Sequence, residues 1–130
     1  MTAPCPFCLE TGALKDTPLF RGEAFYVLGH LIERRKASVM IVPYRHIETP
    51  FDFTVEEWAG MKEAMDFAKT HLAQYGPAGY TVGWNVGRVG GQTVSHVHLH
   101  VVCRFAGEPA EGDGIDALLR EANGIAPRKS

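Results

Sequence analysis

His96, His98 and His100 alternate with Val97, Leu99 and Val101 in the run SHVHLHVV. Strict alternation beside β-branched residues is a strand signal, because successive side chains of a strand point to opposite faces. From His96 onward the three imidazoles are therefore expected on one face and the apolar residues on the other. At a rise of about 3.3 Å per residue, their Cα atoms stand roughly 6.5 to 7 Å apart, and such a row can surround one ligand group. A neutral imidazole is a nucleophile and a charged one donates two hydrogen bonds, which suits phosphate chemistry; metal binding is the other obvious use. The attacking ring must be neutral at one nitrogen and held as a donor at the other. The central residue of the row is best placed, since its neighbours can bind the oxygens of the group under attack. A lone histidine on a strand is usually a surface residue, but three in register after a Gly-rich turn weaken that reading.

The second cluster of reactive side chains is Cys5 and Cys8 in APCPFCLE. With Cys103 they make three cysteines, which is no disulfide framework for a secreted domain. A thioredoxin-like pair needs a strand before it and a helix after it, and Pro4 so near the start leaves no room for that strand. Zinc is the better reading of the pair, against the alternative that both thiols stay unmetallated. A closed zinc site takes four ligands, and without a second CxxC the other two must be histidines from elsewhere. A Cys2His2 shell leaves no open coordination position, so the metal's role would be structural. Cys103 reads as a small buried hydrophobe.

The elements that must position these groups can be read in chain order. Ala24 to Gly29 and Ser38 to Val42 read as strands joined through a charged turn at Glu33, Arg34, Arg35 and Lys36, and Pro43 stops the second. From Thr54 the period changes. Trp58, Met61, Met65, Ala68, Leu72 and Tyr75 fall on one helical face, so Thr54 to Tyr75 is predicted as one long helix covering a sheet. Thr54 and Glu57 form a capping box, Phe53 and Trp58 are placed for a hydrophobic staple, and Gly76 with Pro77 ends the helix. Met61 and Met65 read as core, and His71, in the last turn, suits the helix dipole and carries no chemistry. Gly79 to Asn85 is a third strand, and Val86 to Gln92 a Gly-rich turn whose glycines allow positive φ and close approach to an anion. Arg88 on that turn reads as solvated, with a phosphate chain within its reach. After Phe105 comes a polar acidic linker, then a short amphipathic helix from Ile115 to Ala122 and a fraying tail.

A length of 130 residues with 45% apolar content suits one domain with its own core. The net charge of −2 gives no electrostatic case for nucleic acid or an anionic membrane as a partner, so any anion must be held locally. No run reaches membrane-spanning length and the start lacks a basic head before an apolar stretch, which together predict a cytoplasmic protein.

At these residues the chain resembles the histidine triad (HIT) superfamily, whose signature is His-x-His-x-His followed by two apolar residues. Asn85, thirteen residues before His98, and Gly91, Gln92, Thr93 and Val94 stand at the family spacing. The likeness runs from Pro4 to about Phe105, and 106–130 lie outside it. It implies an α+β, HIT-like fold: a mainly antiparallel sheet with the long helix on one face, followed by the short C-terminal helix, as a single domain over 1–130.

By resemblance, His98 attacks the α-phosphorus of a nucleotide phosphoramidate or polyphosphate, giving a nucleotidyl-histidine that water hydrolyses. His100 donates to the phosphate oxygens, Thr93 and Asn85 supply a hydroxyl and an amide, and Gly91 and Gln92 carry the substrate-binding turn. Relatives with an N-terminal CxxC imply His46 and His96 as the remaining zinc ligands beside Cys5 and Cys8. Many members are homodimers, for which Trp58 and the Met-rich helix offer interface residues or, equally, intrachain core. The chain departs from the pattern at Ala37 and Ser38, where relatives carry Gly-His, and at His30, where they carry a ribose-binding Asp. Those departures favour the alternative of a zinc-stabilised nucleotide-binding or interaction module with negligible catalysis. The retained central histidine and the absence of His-Pro-His-Pro-Gln favour a hydrolase.

Overall fold

The computed structural model describes residues 4–29, 37–109, 111, 112 and 114. The charged turn at Glu33 to Lys36, His30 and the helix expected at Ile115 to Ala122 lie outside these residues. Five strands form one sheet: β1 (Phe20–Arg21), β2 (Phe25–Gly29), β3 (Ser38–Pro43), β4 (Gly79–Trp84) and β5 (Leu99–Arg104). Their order is β1-β2-β3-β5-β4 and every pairing is antiparallel. A single long helix, α1 (Val55–Leu72), joins β3 to β4 and lies on one face. This is the α+β architecture expected. β1 was not legible in the sequence; two residues carry no period, and Phe20 is held by stacking on Phe67 of α1 at 4.7 Å.

Both faces of the central strands are covered. Phe25, Val27, Val39, Ile41, Leu99 and Val101 meet Met61, Ala64, Ala68 and Leu72 of α1. On the opposite face Tyr26, Leu28, Met40 and Val42 pack with Phe7 of the N-terminal loop. That double cover explains why β2 and β3 read as continuous apolar runs. Burial on this scale is the main favourable term in holding the sheet, and truncating a fully buried leucine such as Leu72 costs about 2–5 kcal/mol.

The helix start is as predicted. Thr54 Oγ1 accepts from the Glu57 amide at 3.0 Å, Glu57 Oε1 accepts from the Thr54 amide at 2.9 Å, and Phe53 meets Trp58 edge-on at 5.0 Å. At the other end α1 stops at Leu72, a 3-10 turn runs from Ala73 to Tyr75, and Gly76 closes it at φ +64°. The buried stripe matches the expected one at Met61, Ala68 and Leu72 and departs from it at Trp58, Met65 and Tyr75. Glu57, Met61, Ala64, Ala68 and Leu72 face the sheet, Met65 is half-buried, and Trp58 and Tyr75 are largely exposed. Gly60 marks a close approach: a Cβ there would stand 2.9 Å from that of Ala24, the residue before β2, so α1 has no room for a side chain at this point.

The triad also departs from its expected setting. The β5 ladder begins at Leu99, so His96 and His98 lie in the bent segment before it and only His100 is within the strand. The Val97 amide donates to the Ile47 carbonyl at 2.8 Å, which holds this segment to the chain just past β3 instead of to a ladder. The alternation survives the bend, with Val97, Leu99 and Val101 all in the helix-side core.

Candidate functional site

His98 is buried, at 6% exposure, and its ring meets His100 at 4.9 Å. His98 Nδ1 lies 2.9 Å from the His96 carbonyl oxygen. A carbonyl only accepts, so Nδ1 carries the proton and Nε2 keeps its lone pair. Burial holds the ring below the ordinary imidazole range, a shift partly offset by that hydrogen bond. The result is a neutral imidazole with one defined basic nitrogen.

His96 has the opposite tautomeric logic at the opposite atom. Its Nε2 donates to the Pro43 carbonyl at 2.8 Å, so the Nδ1 lone pair faces Cys5 Sγ and Cys8 Sγ, each at 3.5 Å. His46 Nδ1 stands 3.0 Å from Cys8 Sγ. The four donor atoms of Cys5, Cys8, His46 and His96 all lie within 4.8 Å of one another. Zinc bonds of about 2.3 Å to sulfur and 2.0 Å to nitrogen on a tetrahedron place neighbouring donors about 3.3–3.8 Å apart. The donor set and its spacing fit that ion. Burial and the adjacent Cys5 sulfur push the Cys8 thiol up to about 11, so ionised sulfurs here call for a cationic partner. Burial also keeps His96 below the usual imidazole range and therefore in the neutral form a metal binds. The carbonyl of Pro43, at the end of β3, orients the ligand from outside the cluster.

The Gly-rich turn positions the rest. Gly87 and Gly91 adopt φ +73° and +97°, as the glycine pattern predicts. The amides of Gly90, Gly91 and Gln92 donate to Gly87 or Arg88 carbonyls within the turn. The Gln92 side chain accepts from the Gly87 amide and donates to the Glu48 and Val94 carbonyls, all between 2.8 and 2.9 Å. Gln92 thus laces the turn to the segment following His46. Thr93, exposed, follows it, and Asn85 is the residue after β4, whose last ladder pair is Trp84 with Leu99.

This arrangement can be compared with known proteins. The family model of the HIT domain matches residues 14–107. The chain belongs to the HIT family. An uncharacterized HIT-like protein of Methanocaldococcus jannaschii is 27% identical over 92% of this chain and 99% of its own. An AP-4-A phosphorylase of Mycobacterium tuberculosis is 33% identical over 68% of this chain and 46% of its own length. Among solved structures, the Zn-bound histidine triad family protein of Mycobacterium smegmatis has a TM-score of 0.69 at 24% identity, covering 92% of this chain and 93% of that one.

Two residues of this HIT domain escaped the sequence reading. Phe7, between the two cysteines, presents its ring to His98 at 5.0 Å and to His96 at 6.1 Å. Tyr26, fully buried, donates its hydroxyl to the Phe7 carbonyl at 2.5 Å, and burial pushes its phenol well up so that it stays a donor. The only local signal was an aromatic residue inside CPFC. No helix among the described residues is long and apolar enough to cross a membrane.

Proposed function

We propose that this chain is a hydrolase or phosphoramidase acting at the α-phosphorus of a nucleotide, with His98 as its nucleophile. The observation that carries the reading is His98 Nε2, which has no hydrogen-bond partner among the described residues while Nδ1 is bound to the His96 carbonyl. Nε2 forms a bond to phosphorus as the bond to the leaving amine or phosphate breaks and its electron pair departs with that group. The positive charge gained by the ring is stabilised through Nδ1–H on the carbonyl. Water then bonds to phosphorus, the P–Nε2 bond breaks, and the ring returns neutral as the water's proton is released. His100, Thr93 and Asn85 donate to the phosphate oxygens, and Gly91 and Gln92 shape the turn that presents Thr93. The relative named AP-4-A phosphorylase supports a nucleotide substrate and makes phosphate an acceptor to test beside water.

Cys5, Cys8, His46 and His96 would hold a structural zinc, which supplies a cross-link between the N-terminal loop, the end of β3 and the triad segment. The reading also includes a single cytoplasmic domain that assembles as a homodimer. Purified protein incubated with adenosine phosphoramidate and with diadenosine polyphosphate, with and without inorganic phosphate, should form nucleoside monophosphate or diphosphate, carry about one zinc per chain, and lose turnover by at least ~1,000-fold in His98→Ala. Equal turnover by His98→Ala overturns the nucleophile. Thermal protection by nucleotide with no product formed would instead favour a binding module, the reading suggested by Ala37 and Ser38.

A further inference from the structure

Beyond its covalent attachment at Cβ, the His98 ring is held by a hydrogen bond from Nδ1 to the His96 carbonyl at 2.9 Å, a bond whose broad angular preference tolerates some tilt of the ring. What confines the plane is contact on the ring's faces and edges: His100 at 4.9 Å and 69°, and Phe7 at 5.0 Å and 70°. Phe7 is itself unusually constrained. It is 3% exposed, its carbonyl is bound by Tyr26, and it sits between two cysteines whose sulfurs both reach His96. The same ring meets His96 edge-on at 89°. One residue of the CPFC loop therefore touches both a ligand of the four-residue cluster and the nucleophile of the neighbouring site.

We propose that Phe7 is a positioning residue for His98, through which closure of the Cys5–Cys8–His46–His96 cluster sets the direction in which His98 Nε2 points. The proposal rests on His98 being the nucleophile. It gives the CPFC loop a task beyond cross-linking: Cys5 and Cys8, held in place by a bound metal, would keep the intervening ring against the imidazole. Phe7 touches no reacting atom, so its effect falls on orientation and not on substrate binding. Misplacement of a nucleophile by about 1 Å costs on the order of a hundred-fold in rate.

The test compares wild type, Phe7→Leu and Phe7→Met with adenosine phosphoramidate as substrate, alongside metal content, melting temperature and two-dimensional NMR of histidine-labelled protein. Phe7→Leu keeps an apolar plug but loses the flat ring; Phe7→Met, with a longer chain, replaces it if the leucine variant loses metal. The expected result is full metal content, KM within about two-fold of wild type, kcat lowered about ten- to a hundred-fold, and altered nuclear Overhauser contacts between the His98 and His100 rings, a readout that loss of the Phe7 ring current alone does not move. Wild-type kcat in a folded, metal-replete variant, or unchanged contacts between the His98 and His100 rings, would overturn the proposal. Should wild type itself show no turnover, the proposed reaction fails, while those ring contacts still decide whether Phe7 orients His98.

Discussion

Two imidazoles two residues apart are given opposite uses by which nitrogen meets a carbonyl. His96 donates from Nε2 to Pro43, and His98 donates from Nδ1 to His96 itself. The first leaves its lone pair toward sulfur, and the second leaves Nε2 without a hydrogen-bond partner among the described residues. Burial lowers the pKa of His98, so its neutral form, the one the proposed reaction needs, persists as pH falls through the range where an ordinary histidine becomes charged. The acidic limb of kcat/KM for phosphoramidate hydrolysis should accordingly fall below the usual imidazole range of about 6.5. A limb at or above that range would show that His98 titrates like an exposed ring. That the triad alternates was readable from the residues alone; which nitrogen of each ring is free was not, because both carbonyls are placed by the bent path of the chain.

At the scale of elements, the start of α1 is tied to the loop that carries His46. Arg45 donates to Glu57 Oε1 at 2.7 Å and Oε2 at 3.2 Å, and to the Asp52 carbonyl at 2.8 Å, while Glu57 also closes the capping box. The bond from Arg45 holds the Glu57 carboxyl below its ordinary value, a shift opposed by burial and aided by Thr54. A carboxyl lowered in the folded state contributes stability above its unfolded pKa and loses it as pH falls through the folded value. Glu57→Gln should therefore destabilise by about 1–2 kcal/mol at neutral pH, given a cap and a charge-assisted pair whose carboxylate is buried and whose guanidinium is half-exposed. The difference from wild type should shrink in urea titrations carried out progressively below pH 4. A difference independent of pH would mean that the ion pair contributes nothing. The capping box was legible from Thr54 and Glu57; the Arg45 contact, twelve residues upstream, was not, because the path of the chain after β3, through a 3-10 turn at Pro50–Asp52, decides where Glu57 meets Arg45.

For the whole molecule, the decisive feature is a strip that none of the described residues covers. β4 is an edge strand, and α1 packs chiefly over β2 and β3. Tyr80, Val82 and Trp84 share the helix-side face, with Tyr80 and Val82 about 40% exposed, and Trp58 beside them is 48% exposed. Trp84 Nε1 is buried without a hydrogen-bond partner. An apolar edge with free ladder groups is an association surface unless it is charged or covered. A second copy of this chain would cover it by a two-fold pairing of the same strip. Light scattering should give twice the chain mass at micromolar concentration, and Val82→Lys on the edge should reduce it to one. A monomeric wild type would leave the strip without this role.

The residues themselves determined the period-two triad, the helix with its capping box and staple, the left-handed glycines of the turn and a cysteine pair spaced for a metal. Each of these depends on neighbours a few positions apart, and short-range periodicity and capping are written in such neighbours. Tertiary structure alone decided the rest. It brought His46 and His96 to cysteines 38 to 91 residues away, where family resemblance and not spacing had suggested them. It turned Gln92 inward to lace the turn, moved the buried stripe of α1 onto Ala64 and set Phe7 against His98. These outcomes follow from how closely helix, sheet and loop approach one another, and that distance is a property of the packed chain, carried by no local run of residues.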